Sequence, residues 1–151
     1  MVALTRRAAL TSLAAGTIGV GSVALLPGLA LAKGNIASSP VRLPELKIDT
    51  VHLKYSQTDY TLETGKYYFW TVSCDGEEED VGFAAPELFA NSWINQIVAD
   101  AVDIHTSSFS EIVFNDAASF QIQFVPLRPG RFAFYSPGFE THGLKGQVTV
   151  D

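Results

Sequence analysis

The last twenty residues constrain the fold of this chain more than any other stretch. Residues 131–135 alternate, with Phe132 and Phe134 set apart by Ala133, and a second alternating segment closes the chain. A period of two is typical of β-strands. The nine residues from Ser136 to Leu144 lie between them and contain one Pro and two Gly. The pattern therefore predicts two neighbouring strands joined by a Pro- and Gly-containing loop.

The same pattern recurs along the chain before this stretch. Short alternating or aromatic segments are separated by turn residues, and no long helical pattern interrupts them. The segments that we predict as further strands are residues 48–55, 60–63, 66–74, 97–105, 109–114 and 119–125. Asn115-Asp116 indicates a hairpin, and Trp93 is expected to anchor the core. Together these features predict an all-β Greek-key β-sandwich of about eight strands.

The N-terminal residues differ in composition from the rest of the 151-residue chain. Arg6-Arg7 precede an uncharged stretch rich in Ala, Gly and Leu, and Ala30-Leu31-Ala32 provides a small-x-small cleavage pattern. The segment resembles a twin-arginine export signal. We therefore expect residues 1–32 to be a signal peptide and the protein to be periplasmic. The alternative is an uncleaved anchor, since the apolar run is long enough to span a bilayer.

After this segment we expect a single domain. Residues 33–46 are polar and lack periodicity, which predicts a loosely ordered lead. Residues 47–151 form the predicted β-domain. Apart from the N-terminal segment, the sequence indicates no contact with the membrane.

Charge and sulfur content exclude several classes of function. The net charge is −6, which disfavours binding to nucleic acid or anionic lipid and favours a basic partner. Cys74 is the only cysteine, so the chain cannot form an internal disulfide. The acidic run is read either as a solvated loop or as a docking patch for a basic protein. It comprises Glu77, Glu78, Glu79 and Asp80.

The C-terminal stretch resembles the copper loop of the cupredoxins, the blue copper proteins. In that family an aromatic strand ends in Tyr-Cys, a Pro-containing loop carries His, and Gly-Met precedes the final strand. The family spacing is Cys-x-x-His-x-x-x-x-Met, and it places Ser136, Phe139 and Leu144 at the three ligand positions. The upstream His position holds Gly82 or Phe83. The resemblance implies a sandwich of the cupredoxin type.

The residues at these positions do not suit copper. A blue-copper site requires two imidazoles and a thiolate, with a weak axial ligand. The Ser136 hydroxyl is neutral and hard, and Phe139 has no lone pair. We therefore expect no mononuclear copper cofactor. Phe139 is expected either to fill the vacated pocket with Leu144 or to form an apolar knob for a partner.

We found none of the common catalytic motifs, and on that ground we expect the protein not to be an enzyme. The favoured hypothesis is an exported cupredoxin-like binding or structural protein, a partner of a basic redox protein or a membrane complex. Its expected contact residues are Phe139, Leu144 and the acidic run. The alternative is a weak carrier or chaperone of copper or another metal that uses His142, Glu140 and nearby carboxylates.

Overall fold

The computed structural model describes residues 38–76 and 81–151. In these residues it contains twelve strands, one five-residue helix and a 3-10 turn. The strands are β1 (Val41–Arg42), β2 (Leu46–Asp49), β3 (Lys54–Tyr55), β4 (Asp59–Leu62), β5 (Tyr68–Cys74), β6 (Val81–Phe83), β7 (Ser92–Ala99), β8 (Val102–Ile104), β9 (Ile112–Phe114), β10 (Ala118–Pro126), β11 (Gly130–Tyr135) and β12 (Lys145–Val150). Helix α1 is Pro86–Ala90, and the 3-10 turn is Glu140–His142.

The strands form one large and two small sheets. The large sheet has the order β3-β2-β5-β10-β7-β8, and β1 pairs in parallel with the first residues of β5. The second sheet has the order β11-β12-β4, and β6 pairs with β9 in the third. β4 lies parallel to β12, with Leu62 opposite Val150. The C-terminal hairpin is therefore bordered by a strand from much earlier in the chain.

The core lies between the large sheet and the two small ones. On β5, Tyr68, Trp70, Val72 and Cys74 alternate onto the buried face, as a period of two requires. β10 runs antiparallel to β5 and adds its own buried aromatic residues to the same face. This architecture confirms the predicted all-β sandwich.

Two segments that were predicted as single strands are hairpins instead. Residues 48–55 contain the end of β2, a turn and β3, and residues 97–105 contain the end of β7, a turn and β8. The turns include Leu53 with φ +49° and Asp100 with φ +51°. Left-handed backbone at a residue other than glycine is uncommon. Leu53 therefore gave no sign of its turn, whereas Asp is enriched in this conformation, so Asp100 was a turn signal that the strand prediction overlooked.

Other expectations also differ from the structure. The segment expected to be a loosely ordered lead includes β1 and the first residue of β2, Leu46, which is fully buried. β9 pairs with β6 and not with β10, so Asn115-Asp116 does not join a paired hairpin. Trp93 is 39% exposed, so it is not a core anchor.

Some predictions fall on residues outside the described ranges. These are the signal peptide at residues 1–32, residues 33–37 of the lead, and the acidic run. No helix in residues 38–76 or 81–151 is long and apolar enough to cross a bilayer.

Two strand glycines offer a matched test of the packing. A Cβ at Gly146 would collide with the Phe134 ring and lie 2.5 Å from the Thr58 carbonyl oxygen. A Cβ at Gly82 would meet the Glu111 side chain, whose carboxylate end is flexible. We expect Gly146→Ala to lower the free energy of unfolding by about 1–3 kcal/mol, because overpacking displaces fixed atoms. Gly82→Ala is expected to lower the free energy of unfolding clearly less. Equal losses for the two variants in urea denaturation would contradict this account.

Candidate functional site

The loop of residues 136–144, which we call the ligand loop, is held by its own backbone. The Ser136 N–H donates to the Leu144 carbonyl at 3.0 Å, and the Phe139 N–H donates to the Ser136 carbonyl at 2.9 Å. Gly138 and Gly143 have φ values of +87° and +111°, which favour glycine. The loop therefore closes tightly between β11 and β12.

Ser136, at the family's Cys position, is fully buried. Its hydroxyl lies 2.9 Å from the phenol oxygen of Tyr55, and either oxygen can donate. Burial raises the pKa of the Tyr55 phenol, the Ser136 bond opposes this shift, and Glu140 adds to it. The pair is therefore a neutral, buried hydrogen bond.

Leu144 and Phe139, at the Met and His positions, differ in exposure. Leu144 is fully buried in the core, so the expectation that it contacts a partner is wrong. Phe139 is half-buried and packs against the core, and its ring centroid lies 6.2 Å from that of His142. One side of the Phe139 ring thus packs on the core, and the rest of the ring is exposed to solvent.

The segment at the upstream His position lies beside the ligand loop. Ala84 and Tyr135 exchange two backbone hydrogen bonds of 2.9 Å, which fixes β6 next to the end of β11. Phe83 is fully buried, with its ring edge-on to Trp70. Phe83 therefore contributes to the core.

His142 and Glu140, the predicted metal ligands, lie on the same 3-10 turn. Side chains two residues apart on such a turn point about 120° away from each other. Within the part of the chain that the structure describes, no three His, Cys, Asp or Glu side chains are grouped to hold a metal ion.

Sequence reasoning missed two features of this end of the domain. One is Tyr55, which lies 81 residues from its partner Ser136. The other is the turn of residues 50–53, whose Leu53 carbonyl oxygen would lie 3.3 Å from a Cβ at Gly143. No local pattern could indicate either contact, because both depend on the tertiary fold.

The loop residues do not fit a mononuclear copper ion. The Ser136 hydroxyl is hydrogen-bonded to a neutral phenol, Phe139 has no donor atom, and Leu144 is aliphatic. Copper of the blue type requires thiolate and imidazole donors. The positions that the family uses for metal are filled here by a hydrogen bond and apolar packing.

Comparison with known proteins identifies the fold. No protein-family model matches the chain, and no curated protein matches it. Among solved structures, a laccase from Pediococcus acidilactici is similar with a TM-score of 0.61 and 10% identity, covering 78% of this chain and 28% of that chain. A copper-containing nitrite reductase from Thermus scotoductus has a TM-score of 0.61 and 9% identity, covering 76% and 32%. Reduced auracyanin from Roseiflexus castenholzii has a TM-score of 0.50 and 16% identity, covering 76% and 98%.

The domain has a cupredoxin-like fold. The chain spans less than a third of the length of the first multicopper oxidases that it matches. The expectation that the protein is not an enzyme is contradicted, because multicopper oxidases and a nitrite reductase are among these neighbours.

The Tyr55–Ser136 bond can be tested by a double-mutant cycle. Tyr55→Phe leaves the buried Ser136 hydroxyl without this partner, and we expect a loss of about 1–3 kcal/mol in unfolding free energy. Adding Ser136→Ala is expected to cost less than it does in the wild type, because the bond is already gone. Strict additivity in urea denaturation would show that the two side chains are not coupled.

The raised pKa of Tyr55 also predicts a loss of stability at high pH. The unfolded chain releases this proton near about pH 10, whereas the folded protein retains it. The free energy of unfolding is therefore not reduced by this group below about pH 10, and it falls as the pH rises further. We expect Tyr55→Phe to reduce this fall, measured as Tm between about pH 8 and about pH 11. The same slope in both proteins would assign the effect to other groups, such as Tyr60, whose pKa burial also raises.

Proposed function

We propose that the protein is an exported cupredoxin-like domain whose ligand-loop end docks onto a redox protein. The proposal rests on the burial of the three residues at the positions that hold copper ligands in the cupredoxins. Ser136 and Leu144 are fully buried and make their side-chain contacts within the fold, whereas the Phe139 side chain is only partly buried. The loop architecture is kept while its donor atoms are replaced, which favours a role in contact over a role in holding copper.

The proposed docking surface comprises Phe139 and the adjoining turn of residues 50–53. Val51 on that turn is 47% exposed, and the turn meets the ligand loop at Gly143. Leu53 packs against the core beside it. Exposed apolar side chains on neighbouring loops are typical of protein contact sites.

The partner that we propose is a basic redox protein in the periplasm. Support comes from the net charge of −6 and from the acidic run in the sequence. The twin-arginine-like start and the Ala30-Leu31-Ala32 pattern support export. Copper-dependent oxidoreductases are candidates for the assembly, because the matched laccase and nitrite reductase contain a similar domain as 28% and 32% of their chains.

Docking can be measured with cytochrome c as a basic redox probe. We expect Phe139→Lys to weaken binding at least about tenfold, which corresponds to about 1.4 kcal/mol, because the substitution removes an apolar contact and repels a basic partner. Val113→Lys is the matched control, since Val113 is 50% exposed on β9 and the substitution changes the net charge equally. Equal affinity of the two variants in calorimetry would overturn the assignment of this surface.

A titration with copper(II) and copper(I) separates this proposal from the copper-carrier alternative. We expect no tight one-to-one binding, because the loop lacks thiolate and imidazole donors at the family positions. Tight stoichiometric binding that His142→Ala removes would favour the carrier.

A further inference from the structure

A cavity of about 490 Å³ opens on the outer face of the β11-β12-β4 sheet. Ala133, Gln147 and Asp59 lie side by side in register across the three strands, and Tyr135 pairs with Lys145 in the next row. On β11 these positions alternate with buried phenylalanines, so their side chains face away from the core. The small Ala133 side chain leaves a depression between the larger ones, which we call the sheet groove.

Carboxylates outnumber ammonium groups around the sheet groove. Glu140 and Asp59 line it, and Lys145 is the one basic residue among its lining residues. Within the described residues, neither carboxylate has a nitrogen of Lys, Arg or His within 4.0 Å. Glu140 is half-buried, and a nearby cation stabilises the ionised form of such a carboxyl group. The groove therefore suits a positively charged group from outside the fold.

We propose that the sheet groove receives an arginine side chain of a partner protein. The guanidinium group lies between Glu140 and Asp59 and donates to their carboxylate oxygens. Its hydrocarbon stem packs on Ala133, and its plane lies over the half-buried Tyr135 ring. Arginine is favoured over lysine, because a planar guanidinium can stack on a ring and donate to two acceptors at once.

The sheet groove adjoins the docking surface, and this inference rests on the docking proposed above. Glu140 directly follows Phe139 in the chain, so one partner can cover Phe139 and reach the groove. The groove adds a charged contact to an apolar one. Charge complementarity of this kind fixes the orientation of a complex and selects its partner. The partner is therefore a basic protein with an arginine beside the surface that covers Phe139.

The groove can be tested apart from any protein with N-acetyl-arginine amide as the probe. We expect a saturable NMR shift of the Gly146 N–H signal, and none with the neutral citrulline analogue. Glu140→Gln removes a charge and Ala133→Leu fills the depression, and each is expected to weaken probe binding at least about threefold. Lys145→Gln removes a repelling ammonium and is expected to tighten it. Glu87→Gln, which removes an exposed carboxylate on α1, is the matched control and is expected to change nothing.

A wild type that shows no saturable shift overturns the groove as an arginine site, as does binding that Glu140→Gln and Ala133→Leu leave unchanged. In the cytochrome c experiment both variants are expected to weaken binding, with their folds verified by circular dichroism. If only Phe139→Lys weakens it, the docking surface stands and the role of the groove in docking is overturned. If the wild type does not bind cytochrome c, the docking proposal fails, and the probe titration alone decides whether the groove takes arginine.

Discussion

The Phe134 ring is the contact on which the rest of this fold depends. It stacks on Tyr55 at 5.5 Å and meets Trp70 edge-on at 5.5 Å. It also contacts Tyr60 at 5.8 Å and Phe83 at 6.3 Å. These partners belong to β3, β5, β4 and β6, so one ring joins strands of all three sheets. Such aromatic pairs stabilise a core beyond the area that they bury.

The ligand loop takes its position from this core. Ser136 lies two residues after Phe134, on the same face of the chain, and its bond to Tyr55 extends the Phe134–Tyr55 stack. In a copper protein the metal would join the loop to its neighbours. Here a neutral hydrogen bond and the buried Leu144 make that connection. The loop geometry is therefore supported by contacts that require no metal.

The sequence predicted the strands whose alternation is uninterrupted, such as β5, β10 and β11. It failed at the turn containing Leu53, a residue with no turn preference, and at Asp100, where a single turn-forming residue lies inside an apolar, β-branched run. It also failed for Trp93. β7 carries an extra residue near Asn95, where its register with β10 shifts, and Trp93 lies on the outer face. Local periodicity cannot show such a shift, because the shift is defined by the partner strand.

The sequence predicted where the candidate site lies in the chain, but not all of the residues that contact it. The loop spacing located Ser136, Phe139 and Leu144, whereas Tyr55 could be found only from the fold. The expectation of no enzyme rested on missing motifs, and the enzymes among the structural neighbours show why that ground was too weak. One fold carries many functions, so the absence of familiar motifs in a domain of this fold does not exclude catalysis. Motif content constrains the chemistry of one domain, and contact surfaces decide which assembly that domain joins.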